Sequence, residues 1–125
     1  MYADTKCSLT PDSAIVHVAA EMFALLSDPT RLQIILALRD GELSVNHLAD
    51  IVDKTPASVS QHLARLRLSR MVVARQDGTR VFYRLANDHA RRLAADAIFQ
   101  AEHAIELDPT HHRTAHTTTT EENAS

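Results

Sequence analysis

The chain has 125 residues, the length of a single domain, and a net charge of −3, which by itself argues against nucleic-acid binding. Hydrophobic residues are 45% of the chain but aromatic residues only 4%, so Leu, Val, Ile and Ala must build the core, and two glycines leave few turns for an all-β fold. One cysteine rules out an internal disulfide and a multi-cysteine metal site. Because no segment is long and apolar enough to span a membrane, and the start has no apolar signal region, we expect a cytoplasmic protein.

The first predicted helix lies in SAIVHVAAEMFALL, residues 13–26, which is apolar on nearly all sides. It follows a polar segment, residues 1–12, that we expect to be flexible. We expect the helix to be buried, and in so small a protein that requires extra cover, such as a subunit interface. The second helix begins at Asp28, whose carboxylate caps free backbone amides, and Pro29, which suits the first turn. Gly41 ends it.

A short third helix and a longer fourth helix follow, and both begin with the same kind of signal. Ser44 caps the third helix, in ELSVNHLADIV, while Thr55 caps the fourth and Pro56 opens it. The apolar positions recur at helical spacing in both helices: Val45, Leu48 and Ile51 in the third, and Val59, Leu63 and Leu66 in the fourth.

The hydrophobic period then changes in MVVARQDGTRVFYRL, residues 71–85. Two runs rich in β-branched and aromatic residues flank Asp77-Gly78, the strongest short hairpin signal. The order is four helices, a hairpin and a last helix, with a brief turn between the third and fourth helices. This order predicts a mainly α fold, a winged helix-turn-helix of about five helices and a two-stranded β wing.

The last predicted helix is long. Asn87 or Asp88 caps it, and it runs to about Leu107, where Asp108-Pro109 ends it. We therefore predict a single DNA-binding and dimerisation domain over residues 13–107, dimeric through its terminal helices. Residues 108–125 form a polar, low-complexity, His-containing tail that we expect to be flexible.

The fourth helix and the hairpin carry residues suited to DNA. When the apolar stripe faces inward, the opposite face offers a hydroxyl, an amide and a guanidinium group, which suit base edges and phosphates. From Arg65 to Arg92 the chain has eight arginines against two acidic residues. An ordinary solvated polar face is the alternative, and arginines beside the hairpin tip, which we expect to hold phosphates, argue against it. The predicted DNA-binding residues are Ala57, Ser58, Ser60, Gln61, His62, Arg65, Arg75 and Arg80.

Five of the eight histidines lie on or just beyond the last helix, and two of them suggest a shared metal site. His89 and His103 are 14 residues apart, nearly on one face but about 21 Å apart along the axis, whereas metal–nitrogen bonds are about 2 Å. One helix therefore cannot close the site. An antiparallel second copy that crosses near Asp96 brings the two histidines opposite each other and creates two equivalent sites. The alternative is a polar helix with a tail that happens to be His-rich.

Four segments together resemble the ArsR/SmtB family of metal-sensing repressors: LSDPTRLQIILAL, ELSVNHLADIV, SVSQHLARLR and DGTRVFYRL. The resemblance covers roughly residues 14–107. It implies a homodimer that binds operator double-stranded DNA when metal-free and releases it when metal binds. The ending NDHARRLAADAIFQAEH, with the two histidines beyond it, is similar to that of nickel/cobalt sensors in the family.

The resemblance also implies which residues bind the metal. Many family members carry Asp-x-His near the start of this helix and His-x-x-His or His-x-x-Glu near its end, whereas this chain reads Asn87-x-His89 and Gln100-x-x-His103. Two of four expected ligands are thus weak ones, and the resemblance to the nickel/cobalt sensors implies that Glu102 and the tail pair His111 and His112 replace them in this chain. The predicted metal ligands are His89, Glu102, His103, His111 and His112. Such a nitrogen and oxygen set favours five- or six-coordinate Ni(II) or Co(II), with tetrahedral Zn(II) as the alternative.

We therefore predict a metal-responsive transcriptional repressor released from DNA by Ni(II) or Co(II). The alternatives are a zinc-responsive repressor of the same family and, from a different class, an intracellular metal carrier or buffer. A thiol switch through Cys7 would need pairing between chains. Enzymatic activity is not expected, because no nucleophile elbow, HExxH motif or phosphate-binding glycine loop occurs.

Overall fold

The computed structural model describes residues 10–107, with helices at both ends of that range. The helices are α1 (Ile15–Leu26), α2 (Pro29–Ala37), α3 (Val45–Val52), α4 (Pro56–Leu68) and α5 (His89–Leu107). A 3₁₀ turn (Leu38–Asp40) follows α2, and the strands are β1 (Leu43–Ser44), β2 (Val72–Asp77) and β3 (Arg80–Leu85). The five helices and the hairpin confirm the predicted winged helix-turn-helix. No described helix is long and apolar enough to cross a membrane.

The helix starts follow the predicted caps. The Asp28 carboxylate accepts a hydrogen bond from the Arg31 amide at 3.0 Å, and the Ser44 and Thr55 hydroxyls accept from amides three residues later at 3.2 and 3.1 Å. Each side-chain oxygen satisfies a first-turn amide that has no partner within its helix.

The core lies between α2, α3, α4 and the base of the hairpin. Its fully buried side chains are Ile34, Ile35, Leu38, Leu48, Val59, Leu63, Leu66 and Val72. The predicted stripe of α4 is thus confirmed. In α3 the prediction was less accurate: Ile51 is exposed, and Ala49 and Val52 join Leu48 on the buried side. A spacing of six residues turns a helix about 600°, so Ile51 cannot share the face of Val45.

The wing has a third strand that the sequence did not predict. The short strand β1 pairs antiparallel with β3, placing Leu43 opposite Tyr83, so the sheet order is β1-β3-β2. The hairpin loop itself is Gly78-Thr79, because Asp77 pairs with Arg80. Gly78 has φ +65°, which suits the first loop position of a type II′ turn.

Helix α1 is predicted to be buried, but most of it is exposed in this single chain. Within this single chain Leu26 is its one buried residue. The large apolar side chains left exposed in α1 are Ile15, Val16, Val18 and Phe23. The chain alone does not supply the cover that the sequence requires.

The described chain divides into two compact units at the Arg91–Arg92 junction, within α5. The predicted boundaries at residues 12 and 107 stay predictions. The segments 1–9 and 108–125 lie outside the described residues, as do Asp108 and Pro109, the predicted stop of α5.

Candidate nucleic-acid interface and metal site

Helix α4 presents a polar outer face with two flanks. Ala57 and Gln61 are exposed on the side opposite the buried stripe. Ser60 lies on the flank toward the wing, in an open groove that also contains Arg80. Arg65 lies on the other flank, in a groove shared with residues of α1 and α2. The outer face of α4 is therefore framed by the wing on one side and by α1 on the other.

Two of the predicted DNA-binding residues of α4 are less accessible. Ser58 is half-buried in the first turn, where its backbone amide donates to the Thr55 hydroxyl. The His62 side chain is 21% exposed, and its Nδ1 lies 3.2 Å from an Arg31 guanidinium nitrogen and 3.9 Å from an Asp28 carboxylate oxygen. His62 thus faces α2 in this structure.

The two predicted wing arginines differ in their surroundings. Both guanidinium groups lie 5.0 Å from the centre of the Phe82 ring, within range of a cation–π contact. Arg75 also donates two hydrogen bonds to the carboxylate of Glu42, at 2.8 and 2.6 Å. This pairing lowers the pKa of the Glu42 carboxyl group and raises the pKa of Arg75. Arg75 is therefore held against the loop before β1, while exposed Arg80 borders the groove beside Ser60.

The predicted metal ligands within the described chain all lie on α5 and are exposed. His89 is the first helical residue, and Glu102 and His103 lie in the last turns. The Asn87 side-chain oxygen accepts a hydrogen bond from the His89 amide at 2.9 Å, and this bond satisfies the first amide of the helix. His111 and His112 lie outside the described residues. Among residues 10–107 no group of three or more His, Cys, Asp or Glu side chains is arranged to hold a metal ion.

The C-terminal half of α5 has a mixed polar and apolar surface. An open groove there is lined by Asp96, Phe99, Gln100, Glu102, His103 and Glu106. Phe99, a large apolar side chain within this groove, is 65% exposed. Imidazole and carboxylate groups on this surface are ligands that divalent transition metals accept, and the chemistry of the donor set therefore fits such an ion.

The structure adds candidate residues that sequence reasoning missed. Asn46 and Thr79 line the same groove as Ser60 and Arg80, one at the start of α3 and the other at the wing tip. Thr79 directly follows Gly78, and the Asp77-Gly78 turn signal in the sequence could have placed Thr79 at the wing tip. Nothing in the sequence indicated that Glu42 holds Arg75, because the two residues meet through the pairing of distant strands.

Comparison with known proteins agrees with this architecture. Residues 28–73, from the cap of α2 into β2, match the family described as bacterial regulatory protein, arsR family. The chain is 51% identical over 115 residues to the HTH-type transcriptional regulator KmtR of Mycobacterium tuberculosis, covering 92% of this chain and 88% of that protein. It is 34% identical over 91 residues to the HTH-type transcriptional repressor SmtB of the same species, covering 73% of this chain and 67% of that protein.

A solved structure gives the same fold. The homodimeric winged helix-turn-helix DNA-binding domain from Mycobacterium bovis superimposes with a TM-score of 0.64 at 31% identity, and the match covers 71% of this chain and 82% of that one.

The fold and the exposed face of α4 define a winged-helix transcriptional regulator rather than an enzyme. The chain belongs to the ArsR family of bacterial regulatory proteins. The resemblance stated from four sequence segments is thereby confirmed, and a metal-responsive transcriptional repressor is the function that these relatives support.

Proposed function

We propose that two copies of this chain bind operator double-stranded DNA in the metal-free state and release it when Ni(II) or Co(II) binds. The observation that carries the DNA-binding part is the exposed outer face of α4 beside the Arg80 edge of the wing. A recognition helix of this kind lies in the major groove and contacts base edges, while basic residues on the wing bind phosphates. The cytoplasm follows as the location, because operator DNA is there.

The proposed DNA contacts follow from the side chains' positions. Gln61, at the centre of the outer face, is suited to a bidentate contact with adenine. Ser60 and Arg80, on the wing side, and Arg65, on the α1 side, reach the two flanking backbones, and Ala57 leaves room for close approach. Arg75 is paired with Glu42 through Nε and Nη2, so in the arrangement described here it holds the loop before β1 against the wing.

The proposed dimer uses the exposed apolar side of α1 together with α5. Exposed large apolar residues concentrated on one helix are typical of a protein interface. The homodimeric domain from Mycobacterium bovis has the same fold, which supports a second copy as the occupant of this surface. A homodimer also presents two α4 helices to two half-sites about 34 Å apart, one turn of DNA.

The proposed metal site closes between subunits. His89 lies at the start of α5 and His103 in its last turns, at opposite ends of a helix about 28 Å long. An antiparallel pair of α5 helices places His89 of one subunit near His103 of the partner subunit. Glu102, His111 and His112 complete the proposed ligand set, in which more than four nitrogen and oxygen donors favour Ni(II) or Co(II) over tetrahedral Zn(II).

The test is fluorescence anisotropy of the full chain on its own promoter DNA, titrated separately with Ni(II), Co(II) and Zn(II). Release at lower concentrations of nickel or cobalt than of zinc is the expected result. Release by zinc alone supports a smaller tetrahedral site around His89 and His103. Binding of metal without specific binding of DNA would instead favour the carrier or buffer, which the α4 face and the wing argue against.

A further inference from the structure

Three helices meet at the side chain of Arg31. Its Nε donates to the Leu25 backbone oxygen in the last turn of α1 at 2.7 Å. Its backbone amide donates to Asp28, the cap of α2. Its Nη1 lies 3.2 Å from Nδ1 of His62, in the middle of α4. Arg31 therefore connects α1, α2 and α4, and we call these contacts the Arg31 junction.

The chemistry of the junction determines what His62 does in it. A guanidinium group has donors and no acceptor, so Nδ1 of His62 must accept the hydrogen bond and the imidazole proton is on Nε2. The Asp28 carboxylate lies 3.9 Å from the same nitrogen, beyond hydrogen-bonding distance. His62 is thus bound to Arg31 through Nδ1, its inner nitrogen, and Nε2 is its outer nitrogen.

The position of the junction matters for DNA reading. Gln61, directly before His62, stands on the exposed outer face, and a bidentate amide contact with a base requires accurate placement of the helix. The guanidinium is held at Leu25 independently of α4, so it offers His62 a partner that is already oriented.

We propose that His62 is a positioning residue rather than a base-reading residue: its Nδ1 accepts from Arg31, and this contact sets the rotation of α4 against α1 and α2. The proposal rests on the proposed DNA-binding function. Because α1 is also the proposed dimer helix, the same junction ties each recognition helix to the subunit interface and so to the spacing of the two half-sites.

Two substitutions separate the inner from the outer nitrogen. In His62→Asn the amide oxygen can occupy the place of Nδ1, while the outer end of the ring is lost. In His62→Gln the amide reaches the place of Nε2, while the inner acceptor is lost. Operator affinity of the full chain is measured by fluorescence anisotropy on the promoter duplex and on a set of its single-base-pair variants.

We expect His62→Asn to stay within about threefold of wild-type affinity and His62→Gln to lose about tenfold or more, the range for a hydrogen bond to a charged group. The loss should be the same factor on every duplex variant, since a misplaced helix weakens all base contacts. The opposite order of the two variants, or a loss confined to one base pair, overturns the proposal and makes His62 a base contact.

A double-mutant cycle supplies the control. Arg31→Lys keeps the charge but lacks the fork that reaches two helices. Combined with His62→Gln it should cost no more operator affinity than either change alone, whereas additive losses show that the two residues act separately and contradict the proposal. Circular dichroism confirms that each variant is folded. If the wild-type chain prefers its promoter no more than an unrelated duplex, the proposed function itself fails, an outcome that is distinct from any pattern among the variants.

Discussion

The two wing arginines share an aromatic partner but differ in charge balance. Both lie over Phe82, yet the Glu42 carboxylate neutralises Arg75 through two hydrogen bonds. A cation already paired within the protein displaces fewer counterions when it reaches DNA. Arg75 and Arg80 therefore make a useful comparison, because the charge of Arg75 is balanced by Glu42 whereas we expect the charge of Arg80 to contribute to DNA binding.

Arg80→Ala should reduce the magnitude of the slope of log K against log salt concentration by about two, because the proposed homodimer loses one phosphate contact from each of its two subunits. Arg75→Ala should change the slope less, since Glu42 already balances its charge. Anisotropy titrations over a series of salt concentrations measure both slopes. If the slope changes equally in the two variants, Glu42 does not balance the charge of Arg75 and the assignment is wrong.

His89→Ala and His103→Ala should each keep operator affinity and lose the response to nickel or cobalt. Both side chains are exposed on α5, so their loss leaves no buried group without a partner. The measurement is anisotropy on promoter DNA with and without metal. His47→Ala, an exposed histidine of α3, is the matched control and should respond to metal as the wild type does. Loss of folding or of DNA binding in His89→Ala would make that residue structural.

At the scale of elements, three helices start in the same way. Asp28, Ser44 and Thr55 each accept a hydrogen bond from the amide three residues later. The Asp28 cap differs because it is ionised. The backbone hydrogen bond from Arg31 is the largest cause that lowers the pKa of the Asp28 carboxyl group below its ordinary value of 3.8.

Asp28→Ala should destabilise the protein by about 0.5–2 kcal/mol at neutral pH, the usual value of a helix cap. A carboxyl group with a lowered pKa in the folded state stabilises it above the unfolded pKa, and that contribution disappears as the pH falls through the folded pKa. The difference between wild type and variant should therefore shrink below about pH 3.8. Urea unfolding over a pH series measures it.

Thr55→Ala provides the neutral control for that experiment. Its hydroxyl does not ionise, so the cost of removing this cap should be of similar size and independent of pH over the same range. If the cost of Asp28→Ala does not change with pH, ionisation does not contribute to the cap.

At the scale of the whole molecule, α1 is incomplete in a single chain. Its apolar side chains face outward, and Phe23 is 59% exposed. Phe23→Asp should convert the proposed homodimer into a monomer, because a charge would be buried without a partner in the interface. Sedimentation equilibrium measures the molecular mass, and the monomer should also bind the operator more weakly because it reaches a single half-site.

Ile51→Asp is the control for this change. Ile51 is a similarly exposed apolar residue, 51% accessible, but it lies on α3 and not on the proposed interface. This variant should remain dimeric. A dimer that survives Phe23→Asp would place the interface elsewhere.

Sequence reasoning predicted much of the fold because the relevant signals are local. A cap acts on an amide three residues away, and the stripe of Val59, Leu63 and Leu66 reflects the turn of one helix. The four segments that indicated the family are also short runs of neighbouring residues. For these features, residues close in the chain are enough.

The tertiary structure alone decided the features that join distant residues. β1 exists because Leu43 pairs with Tyr83, and Arg75 is held because the pairing of β1 with β3 brings Glu42 within reach of the Arg75 side chain on β2. The direction of His62 toward Arg31 depends on how α4 packs against α2, which no pattern within α4 specifies. By itself the sequence determined the five helices and the hairpin, their order, the polar face of α4 and the histidines of α5. Packing decided which side chain on those elements is free and which is held, because that depends on contacts between residues far apart in the chain.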